Sequence, residues 1–130
     1  VIAFYLDQKS GVSPYLQLVR QVRQALRLGQ LREGDRLPTV KEVVGQLAIN
    51  PNTVLKAYRE LEHEGLVSAR PGVGTFVTAT LADDSLAAHE PLRRELRTWI
   101  AKARRAGLDD ESIEALFQST YRHASLREAK

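Results

Sequence analysis

The sequence predicts a mainly α fold with one small β-hairpin, followed by a short two-helix C-terminal extension. Three observations carry that prediction. Between Pro14 and Gly65, apolar residues recur at helical spacing in three successive segments. Past Gly65 the pattern changes to two short β-prone segments around a Gly/Pro-rich tip. After a polar, small-residue stretch, two further helical stripes complete the chain.

Each element has its own signals. Residues 2–6 are apolar and β-prone, and Asp7 to Ser13 is polar with Gly11, so the chain begins as a short arm or strand and a loop. Pro14 suits a first helical position. Tyr15, Leu18, Val19, Val22, Ala25 and Leu26 then form one apolar stripe, with Arg20, Arg23 and Arg27 expected on the solvent side and Gly29 ending the run. Leu31 to Pro38 reads as a loop punctuated by Gly34 and Pro38. Thr39 with Glu42 makes a capping box for a short second helix, whose inner face is Val40, Val43, Val44 and Leu47. Ala48-Ile49-Asn50 is a tight break. Asn50 can cap a third helix, Pro51 sits at its first position, and Val54, Ala57, Tyr58 and Leu61 face inward.

Leu66 to Ala69 and Thr75 to Val77, continuing to Thr78, flank Arg70-Pro71-Gly72-Val73-Gly74, the pattern of a hairpin. Residues 81–90 read as a linker. Pro91 opens a fourth helix with Leu92, Leu96, Trp99, Ile100 and Ala103 on one face, and Gly107 breaks it. Asp109 or Asp110 caps a fifth helix bearing Ile113, Leu116, Phe117 and Tyr121, and Ala124 to Lys130 is expected to fray.

Composition narrows the function. With 43% hydrophobic and 27% charged residues in a chain of 130, the sequence suits a folded domain with an appendage rather than a disordered chain. The absence of cysteine removes disulfides, thiolate metal sites and cysteine nucleophiles. The net charge of +3 is unevenly placed: residues 1–80 hold 10 basic against 7 acidic side chains, residues 81–130 hold 9 of each. No apolar run approaches the roughly 20 residues that span a bilayer, and Asp7 comes too early for a signal peptide. A cytoplasmic protein with no membrane partner is expected. His63, His89 and His123 lack metal-ligand spacing, and no phosphate loop, activated nucleophile or carboxylate pair suggests catalysis, so no cofactor, no metal and no enzymatic activity are expected.

A helix, two more helices joined by a tight turn, and a strand hairpin together define a winged helix-turn-helix. Apolar inner faces hold the second and third helices across one another, which leaves the outer face of the third free to enter a major groove. That face and its start carry Asn50, Asn52, Thr53, Lys56 and Arg59. Asn can bond adenine bidentately, Thr can bond a base or touch a thymine methyl, and Lys can reach guanine or phosphate. Arg70, Gly72 and Gly74 at the hairpin tip combine charge with close backbone approach, and Arg36 and Lys41 flank the start of the second helix. A polar helix face can also be merely solvated, and a Gly/Pro tip merely a turn; the ordered combination of pieces favours DNA.

The same residues carry a resemblance. Pro14-Tyr15-Leu16-Gln17, Gly34-Asp35-Arg36-Leu37-Pro38-Thr39-Val40, Asn50-Pro51-Asn52-Thr53-Val54-Leu55-Lys56-Ala57-Tyr58, Leu61-Glu62-His63-Glu64-Gly65-Leu66 and Gly72-Val73-Gly74-Thr75-Phe76-Val77 follow in order over about residues 10–78. They resemble the GntR family of bacterial transcription regulators, and the short helical tail resembles its YtrA subfamily. The resemblance implies DNA contacts from Arg36, Lys41, Asn50, Asn52, Thr53, Lys56, Arg70, Gly72 and Gly74, and dimerisation through the tail. Many members have arginine where this chain has Pro51 and Leu55. Asn-Pro-Asn is typical of the YtrA branch, whereas Leu55 cannot hydrogen-bond a base edge.

The tail, residues 91–130, has more apolar surface than a helical hairpin hides internally: Leu92, Leu96, Trp99, Ile100, Ile113, Leu116 and Phe117. A two-fold homodimer covers it and matches a palindromic site; a pair folded back on the first helix is the alternative. An effector of unidentified chemistry could bind at the dimer interface. The expected function is a sequence-specific regulator of transcription in a bacterial cytoplasm, expected to be a repressor. It would bind double-stranded operator DNA as a homodimer, with the recognition helix (51–64) in the major groove and the wing (70–74) at the minor groove or backbone. A winged-helix protein-interaction module that does not read DNA is the alternative.

Overall fold

A computed structural model describes residues 2–81 and 89–128. Five helices and a hairpin follow the order α1 (Pro14–Arg27), α2 (Val40–Leu47), α3 (Pro51–His63), β1 (Val67–Arg70), β2 (Gly74–Val77), α4 (Glu90–Arg105) and α5 (Asp110–Glu128). They fall into two compact units, one holding α1 to β2 and the other α4 and α5. The expected linker lies mostly outside the described residues.

The first unit closes around one apolar core. Leu18, Val22 and Leu26 from α1, Val43 from α2, and Val54 and Leu61 from α3 are fully covered, with Val67 and Val77 of the hairpin nearly so. The capping chemistry follows the sequence closely. Thr39 Oγ1 accepts the Glu42 N–H at 3.1 Å, and Asn50 Oδ1 accepts the Asn52 N–H at 2.8 Å. One detail of the capping box differs: the Glu42 carboxylate accepts the Thr39 hydroxyl proton at 3.1 Å. The turn between α2 and α3 places Ala48 in the left-handed region, at φ 53° and ψ 43°.

β1 and β2 pair antiparallel in the register Val67↔Val77, Ser68↔Phe76, Ala69↔Thr75 and Arg70↔Gly74. The preceding segment, read from sequence as loop, adds a third rung. Arg36 bridges Phe76, with Leu37 N–H donating to the Thr75 carbonyl and Gly34 N–H to the Val77 carbonyl, each at 2.8 Å. Glycine and proline on either side hide so short a strand from any periodicity argument.

Among the described residues the N-terminal arm pairs with no strand. It is held on α1 by two glutamines one helical turn apart. Gln21 Oε1 accepts the Tyr5 N–H (3.1 Å) while its Nε2 donates to the Tyr5 carbonyl (2.8 Å), and Gln17 brackets Asp7 in the same way (2.8 and 3.0 Å). Primary amides here substitute for a neighbouring strand, and Phe4 is buried beneath. Arg23 also departs from the expected solvent face: half-buried, its Nε donates to Glu64 Oε1 at 2.9 Å, tying α1 to the end of α3.

In the second unit, Ala103 of α4 and Ile113 of α5 are the buried contacts, and the Trp99 and Phe117 rings meet with centroids 6.5 Å apart. Asp109 is the cap chosen: its Oδ1 accepts the Ser112 N–H at 2.8 Å, and hydrogen bonds from Ser112 hold its carboxyl below the ordinary aspartate range. The helix continues through Glu128 where fraying from Ala124 was expected. Although the tail is neutral overall, its charge is split. α4 carries six basic and two acidic side chains, α5 two basic and four acidic.

Candidate nucleic-acid interface

α3 is amphipathic for a simple reason. Val54, Ala57, Tyr58 and Leu61 fall on one stripe and are buried, which forces Asn52, Leu55, Lys56 and Arg59 outward, and all four are exposed. Thr53 is half-buried, with its N–H bonded to the Asn50 carbonyl at 2.9 Å. Asn50 itself is committed as the N-cap through Oδ1, so its carboxamide oxygen is spoken for in the free protein.

Two side chains in the second half of the helix hold it in place. Tyr58 donates its hydroxyl proton to the Pro38 carbonyl at 2.6 Å, just ahead of α2. Burial pushes that phenol well above the usual tyrosine range, and the Glu42 carboxylate adds to the effect. One turn further along, Glu62 Oε2 accepts the Ala69 N–H at 2.8 Å, which orients the hairpin from α3.

The cations are placed by neighbours that the sequence reading did not identify. Lys56 Nζ lies 4.0 Å from the centre of the Tyr15 ring, and the Arg70 guanidinium 4.6 Å from that of Phe76. Arg36, exposed on the added rung, passes beside Gly74, where a Cβ would meet its Nε at 3.0 Å. Arg36, Thr39 and residues 69–75 line an open cleft of about 390 Å³ between the start of α2 and the hairpin. Gly72 is exposed at the tip with φ +76°, and Lys41 is exposed in the first turn of α2. The structure thus brings Arg36, Arg70, Gly72 and Gly74 together around one cleft and sets Asn52 and Lys56 on the outer face of α3. Among the described residues, no group of His, Asp and Glu side chains could hold a metal ion, and no helix is long and apolar enough to cross a membrane.

In the tail, Leu92, Leu96, Leu116 and Phe117 are exposed, Trp99 and Ile100 half-buried, and Ile113 is covered within the hairpin. Tyr121 and Leu126 extend the exposed apolar set beyond the residues singled out as interface candidates.

Comparison with known proteins agrees with this geometry. The profile of the bacterial regulatory proteins of the gntR family matches residues 14–77. The chain is 32% identical over 112 residues to the HTH-type transcriptional repressor YtrA of Bacillus subtilis, covering 83% of this chain and 84% of that protein. A solved structure of YtrA from Sulfolobus acidocaldarius, a GntR-family transcription factor, superposes with a TM-score of 0.55 at 25% identity, over 94% of this chain and 99% of that one. The AraR(DBD) solved in complex with operator ORX1 shares the fold, with a TM-score of 0.50 at 24% identity over 60% of this chain and 93% of that one. The chain belongs to the gntR family of bacterial regulatory proteins: it is a winged helix-turn-helix, DNA-binding regulator of transcription of the YtrA-like kind.

Proposed function

We propose that this regulator represses transcription by binding a palindromic operator as a homodimer, α3 entering the major groove and the hairpin meeting the minor groove or the backbone. The observation that carries the reading is the outer face of α3, where Asn52 and Lys56 are exposed, Lys56 with its Nζ over the Tyr15 ring. Asn52 reads a base edge, and Lys56 reaches guanine or phosphate. Arg36, Lys41, Arg70 and the glycines at 72 and 74 engage phosphates, which fix register without reading sequence. Asn50 and Thr53 act at the helix start, Asn50 first as a cap.

The tail supplies the dimer. Two helices that bury little between themselves and leave Leu92, Leu96, Leu116 and Phe117 exposed gain most by meeting a second copy, with Trp99 and Ile100 at the seam and Ile113 supporting them from below. Residues 1–80 then form the DNA-binding domain and 91–130 the dimerisation segment. An effector, of chemistry this chain does not specify, would act on that seam. The protein is cytoplasmic and carries out no catalysis in this reading. A mobility shift on the promoter of its own operon, across a salt series, tests the reading: retardation that weakens steeply with salt supports it, and no retardation at low salt sinks it.

A further inference from the structure

On the outer side of the hairpin sheet, Phe76 stands between two arginines. Paired residues of an antiparallel sheet share a face, so Arg36, Phe76 and Ser68 point the same way across three rungs, with Arg70 two residues along from Ser68. The neighbours Leu37, Val67 and Val77 point to the other side and are buried in the core. Phe76 is half-buried, yet it is not among the side chains packed against that core. Its ring is instead covered by the Arg70 guanidinium, 4.6 Å from the ring centre. Among the described residues no carboxylate pairs with Arg36 or Arg70, although both border the same cleft. Two like charges beside one cleft repel in the absence of an anion, and a flexible arginine would turn away into solvent. An aromatic face is the uncharged surface that holds a guanidinium without neutralising it.

We infer that Phe76 is a positioning residue for DNA binding: its ring holds the Arg70 guanidinium at the cleft it shares with Arg36, so that the two cations clamp one phosphate of the DNA backbone. Gly74 completes the arrangement by leaving room for the Arg36 side chain, which a Cβ there would crowd. The inference rests on the DNA-binding reading above and adds a residue that touches no DNA. Holding Arg70 in advance removes part of the ordering cost of a long side chain on binding.

The test uses full-length protein and a duplex selected from random DNA by the wild-type chain. Phe76→Leu and Phe76→Ile remove the ring and keep an apolar side chain, Phe76→Tyr keeps the ring, and Arg70→Ala removes the cation. Operator affinity is measured across a salt series, with thermal unfolding of each variant in parallel. The expected result is a 3- to 10-fold weaker affinity for Phe76→Leu or Phe76→Ile, with the slope of log K against log salt shallower by up to about 0.9, the value of one whole phosphate contact. Phe76→Tyr restores both, and adding Phe76→Leu to Arg70→Ala weakens binding no further. Wild-type slope in a folded Phe76→Leu or Phe76→Ile, or effects of Phe76 and Arg70 that simply add, overturns the inference while leaving the regulator reading intact. A wild-type chain that selects no duplex overturns both.

Discussion

The hydroxyl of Tyr58, in α3, donates a 2.6 Å hydrogen bond to the carbonyl oxygen of Pro38, just ahead of the Thr39 cap of α2. This bond crosses the helix-turn-helix and sets the angle at which the outer face of α3 is presented. Tyr58→Phe keeps the ring and loses the bond, so it should destabilise the first unit by about 1 kcal/mol, read as a lower midpoint in urea. The loss should also depend on pH. Burial raises the Tyr58 phenol above the ordinary tyrosine value near ~10, so folding favours the protonated form. The stability it contributes is complete below that value and is lost as pH rises past it. The gap between wild type and Tyr58→Phe should therefore narrow above about pH 10; a constant gap would show that the phenol is not shifted.

Ala48 closes α2 in the left-handed region, at φ 53°, where a Cβ is unfavourable. Ala48→Gly should relieve that strain and stabilise the unit by about 0.5–1 kcal/mol, a rise in melting temperature of roughly 2–8 °C for a domain of this size. Operator affinity should not change, because Ala48 is not among the proposed DNA contacts. A lower melting temperature would mean that the turn does not hold this conformation in solution.

Asn50 and Asn52 separate stability from recognition. Asn50→Ala removes the oxygen that caps α3 and should cost about 1 kcal/mol of stability. Asn52→Ala leaves the cap in place and should weaken operator binding by about 1–3 kcal/mol with an unchanged melting temperature. Lys56→Ala should also weaken binding without unfolding the protein. The opposite pattern, with Asn52 governing melting and leaving affinity unaltered, would assign it to the helix end.

Most of this architecture is legible in the residues because apolar spacing and caps act locally. Thr39 and Asn50 cap the helices that the residues assign to them, and of the two candidates Asp109 and Asp110 it is Asp109 that caps α5. What the residues conceal depends on partners far along the chain. The Arg36 rung exists only because β2 offers it backbone groups, and its single bridge is too short to leave a pattern. Gln17 and Gln21 look like ordinary polar positions on a helix, yet their amides bind the arm. Tyr15 and Phe76 read as apolar members of a stripe and a strand; that each ring lies under a cation follows only from the fold. The reach of α5 to Glu128 exceeds what a position near the end of the sequence suggests, because helix formers such as Ala, Leu, Arg and Glu carry it on.

The tail makes its own prediction. Trp99→Ala removes the largest side chain at the proposed seam, where its ring meets Phe117. It should shift the chain from dimer to monomer in sedimentation at micromolar concentration and weaken operator binding in step. An unchanged dimer would place the interface elsewhere.

In the function proposed, the winged helix reads DNA through exposed Asn52 and Lys56 with a surrounding set of phosphate-binding cations. Titrating the full-length protein against a duplex selected from random sequence, over a range of salt concentrations, tests it most directly. The predicted result is specific binding at low salt whose log K falls linearly with log salt at about 0.9 per phosphate neutralised, with several phosphates involved. No selected sequence, or an affinity indifferent to salt, would contradict it.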